Sequence, residues 1–501
     1  MASTEETPLL PQNPVNPKWK RIFSPDHRVL FAAFLLAVTY SFSSTTILYL
    51  YRTFNCQVYY EDPTHPPYTG PGDACAIPAI EAVTAQDISL MGVIGTISET
   101  LNLFLTVWQI RHWGVRAALV QQSIWAAFRN ACQIYAVLFT EGRVGITVVQ
   151  ASQLFGLLAG SSGYLLVVNF YIAEVVEPVE RTGTFGVLAG IVMLGQSCGY
   201  IVGGVMYDLI NLVAPFAGTF CLLVMSAVFN MLLLPYIPPA GPALDHTEAT
   251  SRWAFLAGLS IFVPAKYENR SGRFWGLTLL ALGGFFAVLG TQYVPTMLQM
   301  TATNRYGYTP GDNGRMMSLN AIFRALFLTF AFPWMIKNGR IRFDARQQRR
   351  ANSAGVTEPT VDSEDVTAVN KPRGNEFDLE YVRLSIVVDV VVTALIALNS
   401  RSWHMLAAVT ILPLTSGTPP AAKGVLIAIV PDARRADAFA GLAIIETLAL
   451  VSSVFLFGTL FAFLSRIGHP NLVFAANASV ALIAAMVLFT VRFPRGSLKM
   501  S

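Results

Sequence analysis

The sequence predicts an all-α membrane protein with twelve transmembrane helices in two pseudo-symmetric six-helix bundles. Three observations predict it. Hydrophobic residues make up 53% of the 501 residues and charged residues only 13%, about half the charged share usual in soluble domains. Apolar runs of about eighteen residues or more recur along nearly the whole chain, each long enough to cross a bilayer. Two short strings in the first half also return, in the same order, in the second, the mark of a duplicated unit. The net charge of +4 is small. Its basic residues fall in the connections, where they orient a membrane protein rather than bind nucleic acid.

The apolar runs place helices at 30–51, 88–109, 117–139, 145–172, 184–207, 215–236, 274–299, 316–336, 382–400, 403–430, 437–463 and 471–492. A polar tail, residues 1–29, carries Lys18, Lys20, Arg21 and Arg28 ahead of the first run. That run is too long for a signal-peptide core, so it reads as a retained first helix. In the tail, Glu5 stands four residues before Leu9-Leu10, the acidic-dileucine pattern read by sorting adaptors. The plasma membrane is nevertheless the expected location, ahead of the vacuolar membrane. With both termini cytoplasmic, roughly 25 Lys and Arg lie inside, about 6 outside and about 3 within helices. The topology follows from that bias.

The first bundle occupies 30–236 and includes an outer loop at 52–87. A cytoplasmic linker, 237–273, leads to the second bundle at 274–492, and a tail of 493–501 closes the chain. Within the second bundle a cytoplasmic loop, 337–381, is basic at first ("KNGRIRFDARQQRR") and then polar with scattered acids. Such a composition cannot support a core, so the loop is expected to be disordered.

"RTGTFGVLAG" after the fourth helix resembles "RADAFAGLAI" after the tenth, matching Arg181 to Arg435 and Phe185 to Phe439 at the same offset. "IRHWGVR" after the second helix faces "KNGRIR" after the eighth, with Gly114 and Gly339 aligned. Related halves are how many secondary transporters are built.

The fifth helix contains "GQSCGYIVGG", with Gly195, Gly199, Gly203 and Gly204 at the motif's glycine positions, and glycines at four-residue spacing lie along one face. Each glycine costs a helix about 1 kcal/mol relative to alanine. Close approach of a neighbouring helix, expected from the opposite half, offsets that cost. This string resembles the fifth-helix antiporter motif of the major facilitator superfamily, with Tyr200 in the place of the usual proline. "WQIRHWGVR" resembles the superfamily's second-to-third loop motif at Gly114 and Arg116. Val107, Arg111, His112 and Val115 stand where glycine, acid and two arginines are usual, so any gating lock must use other partners. Aligned on Gly156, Ser152 takes the position of the fourth-helix arginine of drug/proton antiporters. "YIAE" at 171–174 is similar to the fourth-to-fifth connection of the tetracycline/proton antiporters and the proton-coupled folate transporter. The resemblance covers nearly the whole chain. It implies the major facilitator fold and transport by alternating access.

Ionisable groups within a bilayer are costly and usually paired or functional. Sorted by depth, they form three candidate pairs on sequence-adjacent helices: Glu99 with Arg129, Asp389 with Arg324, and Glu446 with Lys423. Static ion pairs and proton-coupling groups both fit such a set. A carboxylate beside a mobile cation can bind and release a proton as the partner's distance changes. Glu446 with Lys423 is the first choice, because the resemblance places the tenth helix on the transport cavity. It also implies a cavity lined by the first, fourth, seventh and tenth helices. Their mid-depth polar or aromatic residues are Tyr40, Gln150, Gln153, Gln292, Tyr293 and Thr415. Pro413, Gly417, Pro419 and Pro420 interrupt the tenth, tolerable where protein or water satisfies the freed carbonyls. Such a pocket suits a moderately polar organic molecule.

Cys56 and Cys75 share the outer loop on an oxidising face and are expected to form a disulfide. Cys132, Cys198 and Cys221 fall within helices as apolar filler. The sequons at Asn269 and Asn477 lie on the inner side and within the twelfth helix, where glycosylation is not expected. No catalytic motif, cofactor signature or clustered metal-ligand set is present. The expected protein is therefore not an enzyme and uses no cofactor or metal. It is expected to be a monomeric secondary transporter in the lipid bilayer that exports a secondary metabolite or toxic compound with proton coupling. Proton-coupled uptake of a nutrient or organic anion is one alternative. A transporter-like nutrient sensor with little flux is the other.

Overall fold

A computed structural model describes residues 25–66, 68, 73–175, 181–237, 258–267, 273–353, 375–398, 401–431, 434–494 and 498–499. Twelve helical segments follow one another along these residues. Nine are long and apolar enough to cross a membrane. The other three are the third, Val115–Phe139, the ninth, Asn375–Ala397, and the tenth, whose pieces run from Trp403 to Ile429. Polar side chains dilute the third, five charges mark the ninth, and prolines break the tenth. Each still packs within the bundle, the third on the sixth (Ala214–Leu233) and the ninth on the twelfth (Leu472–Thr490).

Four segments are interrupted. The first consists of Pro25–Phe42 and Ser44–Glu61, joined at Ser43. The fourth is Gly142–Ser152, a tight turn at Gln153–Leu157, then Ser161–Val175. The seventh breaks between Gly276–Thr291 and Val294–Tyr306, just before Pro295. The tenth breaks between Trp403–Ile411 and Thr418–Ile429, across Pro413. The eighth adds a π-helical turn, Phe327–Ala331, between Pro310–Leu326 and Phe332–Ser353. Broken helices at membrane depth survive where the freed backbone groups face protein or a wet cavity. The interrupted set is the first, fourth, seventh and tenth, one repeat unit apart.

Several expected boundaries move. The first helix continues to Glu61 and the second, Pro78–Trp113, starts earlier, so the outer connection shrinks to 62–77. A proline in its first turn starts the second helix, where the missing N–H costs nothing. The basic part of 337–381 is helical, because Arg, Lys and Gln sustain a helix begun in the membrane. Its end is helical too, from Asn375. The disorder expected for the middle lies outside the described residues. So do the tail motif of Glu5, Leu9 and Leu10 and the sequon at Asn269. In the linker, Ala265–Tyr267 pairs with Arg273–Phe274 and with Leu498–Lys499 in a small antiparallel sheet. Gly258–Phe262 forms a short turn of helix packed on the eleventh segment, Arg435–Arg466.

The glycine face of the fifth segment, Arg181–Leu209, packs differently from expectation. A Cβ on Gly195, Gly199 or Gly203 would collide with the backbone carbonyls of Phe34, Val38 and Phe42 in turn. Those three glycines serve the first helix of the same half. Gly204 alone meets the opposite half, against Pro310 and Gly311 of the eighth helix. Four-residue spacing gives one face, but Gly204 follows Gly203 and lies about 100° further round.

The apolar core shows which end is closed. At the end bearing the 62–77 connection, one cluster joins both halves, with Leu50, Phe54, Ile88 and Phe216 beside Tyr293, Met297, Met316 and Phe457. At the end bearing the basic turns, each half keeps its own cluster. Val29, Leu119, Tyr164 and Ile172 serve the first half; Leu277, Val382, Val425 and Leu442 serve the second. The halves are fused at one end and separate at the other.

Candidate functional site

A cavity of about 140 Å³ opens among the seventh, eighth, ninth and tenth helices. Leu298, Met317, Ile386, Val409 and Pro413 supply its apolar wall. Gln292, Asn320, Arg324, Asp389, Thr393, Thr415 and Ser416 supply polar groups. The helix interruptions place several of them. Gln292 sits at the break in the seventh helix, and Thr415 and Ser416 sit at the break in the tenth.

Asp389 is 5% exposed. The Thr415 hydroxyl lies 2.9 Å from its carboxylate and 2.7 Å from the Leu412 carbonyl, either of which can accept its proton. Arg324 does not pair with Asp389, contrary to the depth ordering. Its side chain is exposed within the cavity and reaches toward Tyr200 of the fifth helix. Depth along a helix does not fix which way a side chain faces.

Lys423 and Glu446 do meet, with Nζ 4.0 Å from Oε2. Lys423 lies four residues beyond Pro419 and seven beyond Ser416, so it continues the cavity-lining face of the tenth helix toward the basic end. Both side chains keep access, at 46% and 30% exposure. Neither residue is among those lining the cavity itself.

Glu99 and Arg129 do not form the expected ion pair. The Ser161 hydroxyl donates to Glu99 at 2.9 Å, and the Glu99 chain lies against Gly160. Arg129 instead stacks over the Tyr40 ring, 5.4 Å from its centroid, in a small crevice with Thr39, Asn130 and Gln133. Tyr40 lies within electrostatic reach of both charges. Two serines at the turn of the fourth helix satisfy the carboxylate, which leaves the guanidinium to the aromatic face.

Of the remaining cavity candidates, Gln153 is buried at the break in the fourth helix and donates weakly to the Val149 carbonyl at 3.4 Å. Tyr293 is buried in the core shared by the two halves, at the break in the seventh. Gln150 donates to Asp87 at 3.3 Å. Asp87 is a residue that the sequence reading passed over. It also accepts from Asn55 at 2.9 Å, so amides from the first and fourth helices hold a carboxylate of the second. Starting the second helix at the proline signal of Pro78 would have brought it into the membrane set. Tyr200, which stands where the glycine motif usually has proline, places its side chain within reach of Ser41 and Ser44, which flank the break in the first helix.

The outer connection is tied by the Cys56–Cys75 disulfide, with Cα atoms 5.3 Å apart. Arg52 binds Asp73 nearby at 2.8 Å. Across the halves, Arg315 of the eighth helix approaches Asp208 of the fifth at 3.6 Å. The Ser197 and Ser318 hydroxyls meet at 2.6 Å, and Ser89 donates to the Val454 carbonyl at 2.9 Å. At the basic end, Arg340 and the buried Asp378 join the eighth and ninth helices.

The chain matches the family model of the Major Facilitator Superfamily over residues 29–350. Its sequence is 21% identical over 320 residues to the major facilitator-type transporter psiT1 of Psilocybe cyanescens. That match covers 58% of this chain and 66% of the relative, so the chain spans just under two thirds of that transporter's length. Among solved structures, the fold is similar to a D-xylose–proton symporter, with a TM-score of 0.62 at 12% identity over 94% of this chain and 98% of that one. The nucleoside transporter NupG gives 0.60 at 13% identity, covering 93% and 100%. The human organic anion transporter MFSD10 gives 0.56 at 15% identity, covering 93% and 99%. With a nearly all-helical fold in two halves and a family match over most of its length, the chain belongs to the major facilitator superfamily and is an integral, multi-pass membrane protein.

Proposed function

We propose that this protein is a monomeric, proton-coupled exporter of a small, moderately polar organic solute, with both termini cytoplasmic in the plasma membrane. The observation that carries the reading is the Lys423–Glu446 pair. It is a partly exposed carboxylate 4.0 Å from a cation, on two helices of the cavity half. Protonation of Glu446 releases Lys423, and deprotonation restores the pair, which gives the cavity two charge states to couple to its two openings. The apolar wall with scattered amides and hydroxyls supports a solute that is neither strongly hydrated nor multiply charged.

The core arrangement supports an inward-facing state, since the positive-inside rule assigns the basic turns to the cytoplasm and the halves separate at that end. Such a state loads solute from the cytoplasm. Twelve helices with a dominant fifth-helix glycine face, and similarity to a fungal transporter, are in keeping with export of a metabolite or toxic compound. Purified protein in vesicles of known orientation tests the direction. A proton gradient acidic on the outer face should drive solute outward, and the reversed gradient should not. Accumulation in the cytoplasmic direction under the acidic-outside gradient would replace export by uptake.

A further inference from the structure

Arg324 stands apart from the other membrane-embedded cations. Lys423 has Glu446, Arg129 has the face of Tyr40, and Arg52 has Asp73. Arg324 has no carboxylate oxygen within 4.0 Å among the described residues, although Asp389 lines the same cavity. Asp389 is instead satisfied by Thr415. Asn320, one turn earlier, gives its amide to the Val409 carbonyl at 2.9 Å. Tyr200 faces it from the fifth helix, across the boundary between the halves.

A guanidinium presents five donors in a fixed fork that matches a carboxylate or a phosphate edge-on. Leu298, Met317, Ile386 and Val409 wall part of that cavity, so the charge is screened less than on an open surface. A bound anion is therefore worth far more there than on an open surface.

From this we infer that Arg324 is an anion-binding residue of the solute site and that the solute carries one anionic group, a carboxylate or a phosphate, on an apolar body. The anion occupies the fork of Arg324, and the body lies along the aliphatic wall. Asp389, held by Thr415, stays out of the fork and leaves it open to the solute. The second half thus supplies the anion clamp at Arg324 and the proton-binding pair at Glu446 on separate residues. A solute anion then need not displace the coupling carboxylate from its cation. The inference rests on the reading of this cavity as the solute site.

Binding to the full-length protein in lipid nanodiscs tests it, by calorimetric titration of matched pairs: octanoate against octanamide, benzoate against benzamide, and phenyl phosphate against phenol. The wild-type protein should prefer at least one anion over its neutral partner by about tenfold or more, the size expected of hydrogen bonds to a charged group. Arg324→Gln should lose that preference, and Arg324→Lys should recover much of it. The phenyl phosphate arm separates a phosphate-selective fork from a carboxylate-selective one. Unliganded melting of each variant establishes that it is folded, and Arg324→Met, which also removes the charge, carries the comparison if the glutamine variant is not. The inference is overturned if no anion in the set is preferred, or if Arg324→Gln keeps the preference. Proton-driven flux is measured separately. Its survival alongside a missing anion preference would remove this inference and leave proton-coupled transport standing.

Discussion

The carbonyl oxygen of Tyr200 lies against the α-carbon of Gly314, so the fifth and eighth helices meet backbone to backbone across the two halves. No side chain fits between them: a Cβ on Gly314 would collide with that carbonyl, and one on Gly204 would meet Pro310 and Gly311. The contact belongs to the closed end of the molecule. Gly314→Ala should therefore weaken closure at that end and raise the outward-open population. Labelling by a membrane-impermeant thiol reagent, at a cysteine placed at Ser318, reads the change. Labelling should accelerate in the variant. Unchanged labelling would show that the contact is not part of the gate.

Asp208 and Arg315 bridge the same end at 3.6 Å, but both are partly exposed. Arg315 also bonds Asp312 at 3.0 Å within its own helix. An exposed pair of this kind contributes about 0.2–1 kcal/mol. Asp208→Asn should accordingly shift the opening equilibrium less than about fivefold. Added salt should reduce the wild-type labelling difference further. A larger shift would mean that the pair is more enclosed in the working membrane than its exposure indicates.

Gly203 faces the Phe42 carbonyl at the end of the first helix's inner piece, one residue before the break at Ser43. Gly203→Ala should overpack this junction and destabilise the fold by about 1–3 kcal/mol. The readout is the melting temperature in detergent. Gly284, which has nothing within 4 Å of an added Cβ, is the matched control, and Gly284→Ala should leave melting unchanged or raise it slightly.

The Cys56–Cys75 bridge closes a connection of nineteen residues separation between the first and second helices. Replacing both cysteines by serine should cost about 3 kcal/mol through the freedom returned to the unfolded chain. Thermal unfolding with and without reductant measures it. The wild type under reductant should match the double variant.

Beside that bridge, the carboxyl of Asp62 is held below the ordinary carboxylate range by the backbone N–H of Thr64, then by its hydroxyl. A depressed folded value means that the contribution is present above the unfolded value and lost as pH falls through the folded one. The loop turn at 62–65 should therefore loosen only under strongly acidic conditions. Protease cleavage of the loop, followed against pH, checks the sign.

Much of this architecture was legible in the sequence because a membrane helix must be apolar along its whole length. The order of the segments follows largely from that, and the division into halves from the central linker and the repeated strings. Segment ends were less legible. "TFNCQVYYE" reads as a loop by composition, yet it extends the first helix, since polar residues at the outer end can face the connection rather than lipid. The same misplacement hid Asp87, which lies one residue before the drawn start of the second helix and accepts from Asn55 and Gln150. Depth counting brought Lys423 and Glu446 to one level, and they meet. It did the same for Glu99 and Arg129, which turn to Ser161 and Tyr40 because their helix faces diverge. Sequence depth carries no azimuth, and in a bundle azimuth chooses the partner.

The central claim is that Glu446 carries the coupled proton. Its most direct test is transport by Glu446→Gln in reconstituted vesicles, measured twice with one solute. Gradient-driven movement should fall to the level of empty vesicles, while solute exchange without a gradient should continue near the wild-type rate. Full gradient-driven transport by the variant would contradict the claim.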